Sequence, residues 1–311
     1  MYFINSPMTG FPSGRMLPLL FILLMTSACA ATSESVHELS PVQGTVLQEA
    51  RDDKSDSLEK ISYEELLSRG NRHLSQRNSK LALLHFQMAL KRRGDSAEAY
   101  AGLGETLALT GDNQAAHSFL DQALRLDQQN RPALLSTGKL YREEENYSQA
   151  EISFTRALKI YPANPEILTE LAITYGRMGQ EDQAEPLLLQ VVRLKPGDAS
   201  ARNNLGFNYL LRGDYPAAIE TFRDALKIAP DSPRVLNNLA AAYALNSQPN
   251  KALNLFRKTG NEATAYNDLG YFYLMLGKDE PARAAFKKAL WLHPRHYVRA
   301  RENLSLLETE P

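Results

Sequence analysis

The side chains that most often carry chemistry in proteins are scattered along this chain. Its 311 residues include one cysteine, Cys29, and six histidines. His293 and His296 lie close together, but Pro294 separates them and no acidic or cysteine partner lies at the spacing of a zinc site. The sequence contains neither a glycine-rich phosphate loop nor a nucleophile elbow. We therefore expect no catalytic residues, no metal and no cofactor.

A different chemistry is indicated by amide-rich pairs that recur in the second half of the chain. A carboxamide offers a donor and an acceptor, so it can pair with the peptide unit of an extended chain whatever its sequence. We predict that these amides, with two aromatic side chains, line a groove for a protein partner. The alternative is that they merely solvate an exposed helix face. The predicted groove residues are Asn203, Asn204, Phe207, Asn237, Asn238, Asn267, Asp268 and Tyr271.

The spacing of these pairs reflects an internal repeat of 34 residues. Small residues that mark it at this interval are Gly70, Gly104, Gly138, Ala172, Gly206 and Ala240. Alanine recurs twelve positions after each marker, and phenylalanine recurs sixteen positions after most of them. A last marker, Gly270, follows Ala240 after only 30 residues. Regular self-similarity of this length is typical of a stacked repeat protein.

Each repeat contains two stripes of apolar residues at helical spacing, so it predicts two amphipathic helices. A good N-cap residue precedes the first helix of each of the first six copies: Ser62, Ser96, Asn130, Asn164, Asp198 and Ser232. We expect the small markers to let the two helices approach closely while aromatic rings fill the space between them. One such hairpin cannot bury its apolar face alone, so neighbouring hairpins must stack.

This pattern resembles the tetratricopeptide repeat, in which Leu-Gly, Tyr, Ala, Phe, Ala and Pro stand at fixed offsets. Its clearest copy contains Leu205, Gly206, Tyr209, Ala218, Phe222, Ala225 and Pro230. The resemblance implies an all-α fold, an α-α superhelix (solenoid) of seven helical hairpins over residues 63–296. A capping helix and tail would follow at residues 297–311. In that family the exposed face of the first helices lines a concave groove, which is where we place the predicted groove residues.

One copy departs from the pattern. The sixth repeat lacks four residues, about one helical turn, and reads Thr259-Gly260 where its second helix would continue. We expect that helix to be short and the stack to be locally irregular.

The N-terminal residues indicate export. Arg15 precedes the apolar run 17–25, which is too short to span a bilayer as a mature helix. The following Ser27-Ala28-Cys29 resembles a bacterial lipobox, which implies a signal peptide at 1–28 and lipidation of Cys29. Ala30, rather than aspartate, then implies the outer membrane by the lipoprotein sorting rule. Alternatively, Ala28-x-Ala30 is an ordinary cleavage site that releases a soluble periplasmic protein.

Residues 29–61 are polar and predict a lipidated, flexible tether. The net charge of −1 gives no sign of nucleic-acid binding, and we expect no small-molecule substrate. The lipobox and repeats together are similar to the tight-adherence (Tad/Flp) pilus assembly lipoproteins. That resemblance implies a periplasm-facing, outer-membrane adaptor that binds proteins and helps a secretin to assemble. A type IV pilus pilotin and a periplasmic scaffold for envelope polysaccharide export are the alternatives.

Overall fold

A computed structural model describes residues 61–293 and 298–307 of the chain. The predicted signal peptide, Cys29 and nearly all of the predicted tether lie outside these ranges. All regular structure within them is helical. The helices are α1 (Tyr63–Ser75), α2 (Ser79–Arg92), α3 (Ala97–Thr110), α4 (Asn113–Leu126), α5 (Arg131–Glu143), α6 (Tyr147–Ile160), α7 (Pro165–Arg177), α8 (Glu181–Leu194), α9 (Ala199–Leu211), α10 (Tyr215–Ile228), α11 (Pro233–Leu245), α12 (Pro249–Thr259), α13 (Glu262–Met275), α14 (Asp279–Leu292) and α15 (Val298–Leu306).

These helices pair into seven hairpins, α1–α2 through α13–α14, so the predicted fold class is confirmed. The chain divides into two compact units, one with α1–α6 and one with α7–α15. Within each unit a second helix packs against the first helix of the next repeat. The first helices of neighbouring repeats also lie side by side, as α9, α11 and α13 do.

The helix starts follow from capping chemistry. The side chains of Ser62, Ser96, Asn130, Asn164 and Asp198 each accept a hydrogen bond from a backbone N–H of the first turn. Each bond satisfies a donor that the helix itself leaves unpaired. The sixth repeat begins differently: the predicted cap Ser232 accepts no hydrogen bond through its side chain, and Pro233 occupies the first helical position, where its missing N–H costs nothing.

A residue without a side chain faces a phenyl ring inside four of the hairpins. A Cβ atom placed on Gly70, Gly138, Gly206 or Gly270 would lie 2.5–2.8 Å from the nearest ring carbon of the phenylalanine on the partner helix. Carbon atoms in contact ordinarily sit about 3.5–4.0 Å apart, so a methyl group there would force the ring to move. The opposing rings, those of Phe86, Phe154, Phe222 and Phe286, are completely buried. In the fourth repeat the corresponding pair is Ala172 and Leu188, in which a larger marker meets a smaller partner.

The predicted short helix and the predicted capping helix are both present. Helix α12 has 11 residues and ends at Thr259, whereas the other second helices have 14. The predicted capping helix corresponds to α15, which packs against α14 and α13. It therefore covers the last hairpin much as a further first helix would.

We expect Gly206→Ala to lower the midpoint of thermal unfolding, because the new methyl group would overlap the Phe222 ring. Overpacking of this kind costs about 1–3 kcal/mol. Phe222→Leu alone should also destabilise the protein, by leaving a cavity. Combined, the two changes recreate the natural Ala172–Leu188 pairing, so the double variant should lose less than the two single losses added together. Simple additivity would contradict this account of the close helix approach.

Candidate protein-binding surface

The eight predicted groove residues all lie on α9, α11 and α13, which are consecutive first helices of one compact unit. We call the surface formed by these three helices the first-helix wall. Because the helices lie side by side, residues at equivalent repeat positions come to neighbouring places on the wall. The structure therefore brings the predicted residues together, but it does not give them equal access to a partner.

Three of the asparagines face the interior of the stack. Asn203, Asn238 and Asn267 are only 4%, 3% and 5% exposed. A buried carboxamide is costly unless its polar atoms are hydrogen-bonded. Each of these three amides therefore needs hydrogen-bond partners inside the protein.

Amide–amide hydrogen bonds join neighbouring first helices. The Asn238 Nδ2 atom on α11 donates to Asn203 Oδ1 on α9, at 2.8 Å. Two hairpins further along, Asn303 Nδ2 on α15 donates to Asn267 Oδ1 on α13, at 3.1 Å. The capping helix thus meets the seventh repeat through the same kind of bond that joins repeats five and six. These hydrogen bonds hold α9 against α11 and α13 against α15.

Three further residues interact with the wall from neighbouring helices, and they were not predicted from the sequence. Thr259 Oγ1, at the end of the shortened α12, donates to Asn237 Oδ1. Asn303 completes the second amide pair, and Arg299 lies where its charge acts on Asp268. Asn303 could have been found from its spacing in the sequence, because it follows Asn267 by 36 residues much as Asn238 follows Asn203 by 35.

Asp268 stands where the preceding repeats carry Asn204 and Asn238. Burial raises the pKa of its carboxyl above the ordinary value of 3.8, and the Asn267 amide and the Arg299 guanidinium act in the opposite direction. Asn267 Nδ2 donates to Asp268 Oδ1 at 3.3 Å. Burial has the largest effect, so the charged carboxylate is less stable in the folded protein than in water.

Two aromatic side chains of the wall are accessible. Tyr271 is 42% exposed, and its ring meets that of Phe272 edge-on with centroids 5.9 Å apart. Phe207 and Asn204 are half-buried, and Phe207 also packs on the core of this unit. A partner that approached the wall would therefore meet aromatic surface first, with the Asn204 amide beside it.

Among the described residues, no group of three or more histidines, cysteines and acids lies close enough to hold a metal ion. In the same part of the chain, no helix combines the length and the apolar character that crossing a membrane requires.

Comparisons with known protein families agree with the repeat architecture. Tetratricopeptide repeat models match residues 169–233, 209–264 and 263–295. A further model, the middle TPR-like domain of cilia and flagella-associated protein 70, matches residues 73–195. The matches to tetratricopeptide repeats include every predicted groove residue. The chain is a tetratricopeptide repeat protein, and it belongs to a class of scaffolds that bind other proteins or peptides and are typically non-enzymatic.

Individual relatives are more distant. The chain is 28% identical over 156 residues to human cilia- and flagella-associated protein 70, an alignment that covers 50% of this chain and 13% of that protein. It is similar to a solved tetratricopeptide repeat protein from Parabacteroides merdae, with a TM-score of 0.59 and 20% identity over 79% of this chain and 99% of the other. It is also similar to a chain of the APC/C hetero-tetramer Cut9-Hcn1, with a TM-score of 0.56 and 17% identity over 84% of this chain and 59% of the other. These likenesses show the fold.

We predict that Asn238→Ala destabilises the protein, because it removes the donor from the buried Asn203 Oδ1 atom. Leaving a buried acceptor unsatisfied costs about 1–3 kcal/mol. Asn204→Ala is the matched control, since this neighbouring amide is half-buried, and we expect it to change stability by less than about 0.5 kcal/mol. Thermal and urea unfolding measure both. Equal stability of the two variants would mean that the amide pair contributes nothing to the wall.

Asp268→Asn should raise the melting temperature at neutral pH. Because the folded-state pKa is raised, the wild-type protein loses stability as the pH rises above 3.8, the ordinary value, through the folded value. The asparagine variant does not titrate there, so its advantage should be greatest near neutrality and shrink in acid, where the wild-type carboxyl is protonated in both states. An equal gain at every pH would show that the effect is not electrostatic.

Proposed function

We propose that this chain is a protein–protein adaptor whose first-helix wall binds an extended segment of its partner. The observation that carries this is the exposed Tyr271 ring on α13 together with the half-buried Phe207 and Asn204 on α9, on a wall already held together by its buried amides. A surface that is ordered before binding loses less conformational entropy when the partner docks. Exposed aromatic side chains are also the residues that most often dominate protein interfaces.

The buried amides then have a positioning role. Asn238 and Asn203 bond to each other, so they hold α9 and α11 in register rather than pairing with a partner backbone. Asn204 and Asn237 are the half-buried amides of the wall. The Asn237 oxygen already accepts from Thr259, whereas the Asn204 carboxamide can offer a partner both a donor and an acceptor. Recognition would then combine apolar contact at the two rings with one amide contact.

The cellular setting that we propose is the periplasmic face of the outer membrane, with Cys29 as the lipidated residue at the start of a polar tether. This proposal is supported by the short apolar run, the Ser27-Ala28-Cys29 sequence and the repeat array behind them. In this setting the adaptor would act in assembly of a Tad/Flp-type pilus, by helping the secretin to localise or oligomerise. A type IV pilus pilotin and a periplasmic scaffold for polysaccharide export remain the alternatives.

The wall is tested by the double variant Asn204→Ala/Tyr271→Ala in a crosslinked pull-down from native membranes. We expect the variant to lose most of the recovered partner while unfolding near the wild-type temperature, because both residues are partly solvent-exposed. The matched control is Asn254→Ala/Ile228→Ala, which removes an exposed amide and a 40% exposed apolar side chain from second helices. Undiminished recovery by the wall variant would contradict the proposed binding surface.

The cellular setting is tested separately with Cys29→Ala. Recovery of a secretin by the wild type, reduced when the cysteine is replaced, would support an assembly lipoprotein at the outer membrane. Recovery of polysaccharide export proteins would favour the scaffold alternative. Equal secretin recovery by the Cys29→Ala chain would contradict the lipid anchor but leave the adaptor role standing.

A further inference from the structure

A second surface of the last repeats has unusual chemistry. Trp291, the one tryptophan of the chain, lies on α14 and is 70% exposed, the highest fraction among the large hydrophobic side chains of the described residues. Burying an indole ordinarily stabilises a fold by more than burying any aliphatic side chain. An exposed indole therefore adds little to the stability of the fold, and its surface is available for contact with a partner.

Comparison of the repeats shows that this position is normally polar. The equivalent residues, each 21 positions after the marker of its repeat, are Lys91, Arg125, Lys159, Arg193 and Lys227. All five lie on second helices, on the side that faces solvent, and all five are exposed. A fully solvated position that holds a cation in five repeats thus holds an indole in the seventh. At 70% exposed, this tryptophan has only a small part of its side chain packed against the protein.

The indole sits among cations. The Lys288 Nζ atom lies 4.0 Å from the centroid of the Trp291 ring, and Lys287 is exposed beside it. The sixth repeat contributes the exposed Arg257 and Lys258, and Glu262 connects the two sides because it bonds Arg257 and is influenced by the charge of Lys288. We call Arg257, Lys258, Lys287, Lys288 and Trp291 the outer basic patch. With four cations against one carboxylate, it is strongly positive.

This combination matches an anionic membrane surface. Tryptophan prefers the headgroup region, where its ring is in an apolar layer and its N–H remains hydrogen-bonded. Lysine side chains can lay their methylene stems along that layer while the ammonium groups reach lipid phosphates. Each cation near an anionic leaflet contributes on the order of 1 kcal/mol. An indole that projects from an outer helix suits a deformable lipid surface better than a preformed protein pocket.

We propose that the outer basic patch rests on an anionic membrane with Trp291 in the headgroup layer. The patch lies on second helices, whereas the proposed partner site lies on first helices, so the two surfaces can be occupied at once. The contact does not require lipidation of Cys29. If the chain is also tethered, the weak contact forms at a high effective concentration, and the patch then determines which side of the last two repeats faces the membrane.

The single tryptophan makes a direct test possible with the full-length chain. Its fluorescence is excited at the red edge of indole absorption, where tyrosine does not absorb, and vesicles of phosphatidylglycerol with phosphatidylcholine are added. We expect the emission to move to shorter wavelength, brominated lipids to quench it, and added salt to reverse both effects. Vesicles of phosphatidylcholine alone should leave the emission unchanged. Because the probe is local, binding through the N-terminal segment alone would not produce this signal.

Lys287→Gln/Lys288→Gln keeps the tryptophan and should weaken the apparent partitioning about tenfold or more. Lys91→Gln/Lys159→Gln removes the same charge from outer helices elsewhere and should bind as the wild type does. Unchanged emission with anionic vesicles, an equal shift with neutral ones, or no effect of the Lys287/Lys288 variant would each overturn the proposal. A shift with polyglutamate but not with vesicles would also overturn it, in favour of an acidic protein partner.

Discussion

The close approach of the two helices within each hairpin is the constraint on which the rest of this structure depends. Where Gly206 faces the Phe222 ring, the missing side chain lets the helices come near enough for the ring to be fully buried. The same contact recurs in four repeats. Within each compact unit the first helices of neighbouring repeats form one layer, since they lie side by side, and the second helices pack against that layer. Both proposed surfaces follow from this layering.

Polar contacts then act where apolar packing does not specify register. Apolar faces can slide past one another at little cost, whereas a buried amide is satisfied only when its partner is opposite. The Asn238–Asn203 and Asn303–Asn267 bonds therefore place neighbouring first helices at defined heights. This gives the wall a fixed arrangement of its accessible groups, Tyr271, Phe207 and Asn204, before any partner arrives.

The hairpins, most of their caps and the short α12 could be predicted because each depends on residues close together in sequence. The repeat spacing also placed the predicted groove residues on three neighbouring first helices, where the structure has them. The helical wheel treats a helix as isolated, however, and the burial of Asn203, Asn238 and Asn267 is caused by the neighbouring helix. The roles of Arg299 and Asn303 depend on how α15 docks, and that helix follows the last recognisable repeat marker.

The amide that α15 presents to the seventh repeat has a consequence for how such arrays change in evolution. The capping helix meets Asn267 as α11 meets Asn203, through an asparagine at almost the same spacing. If a duplicated hairpin with the same asparagines were inserted ahead of α15, it could form an amide bond with the seventh repeat on one side and with α15 on the other. Neither of these existing helices would have to change. Stacked repeats interact only with their neighbours, so such an insertion would leave distant hairpins undisturbed. The number of repeats can then vary by copying, while the terminal helix is inherited unchanged.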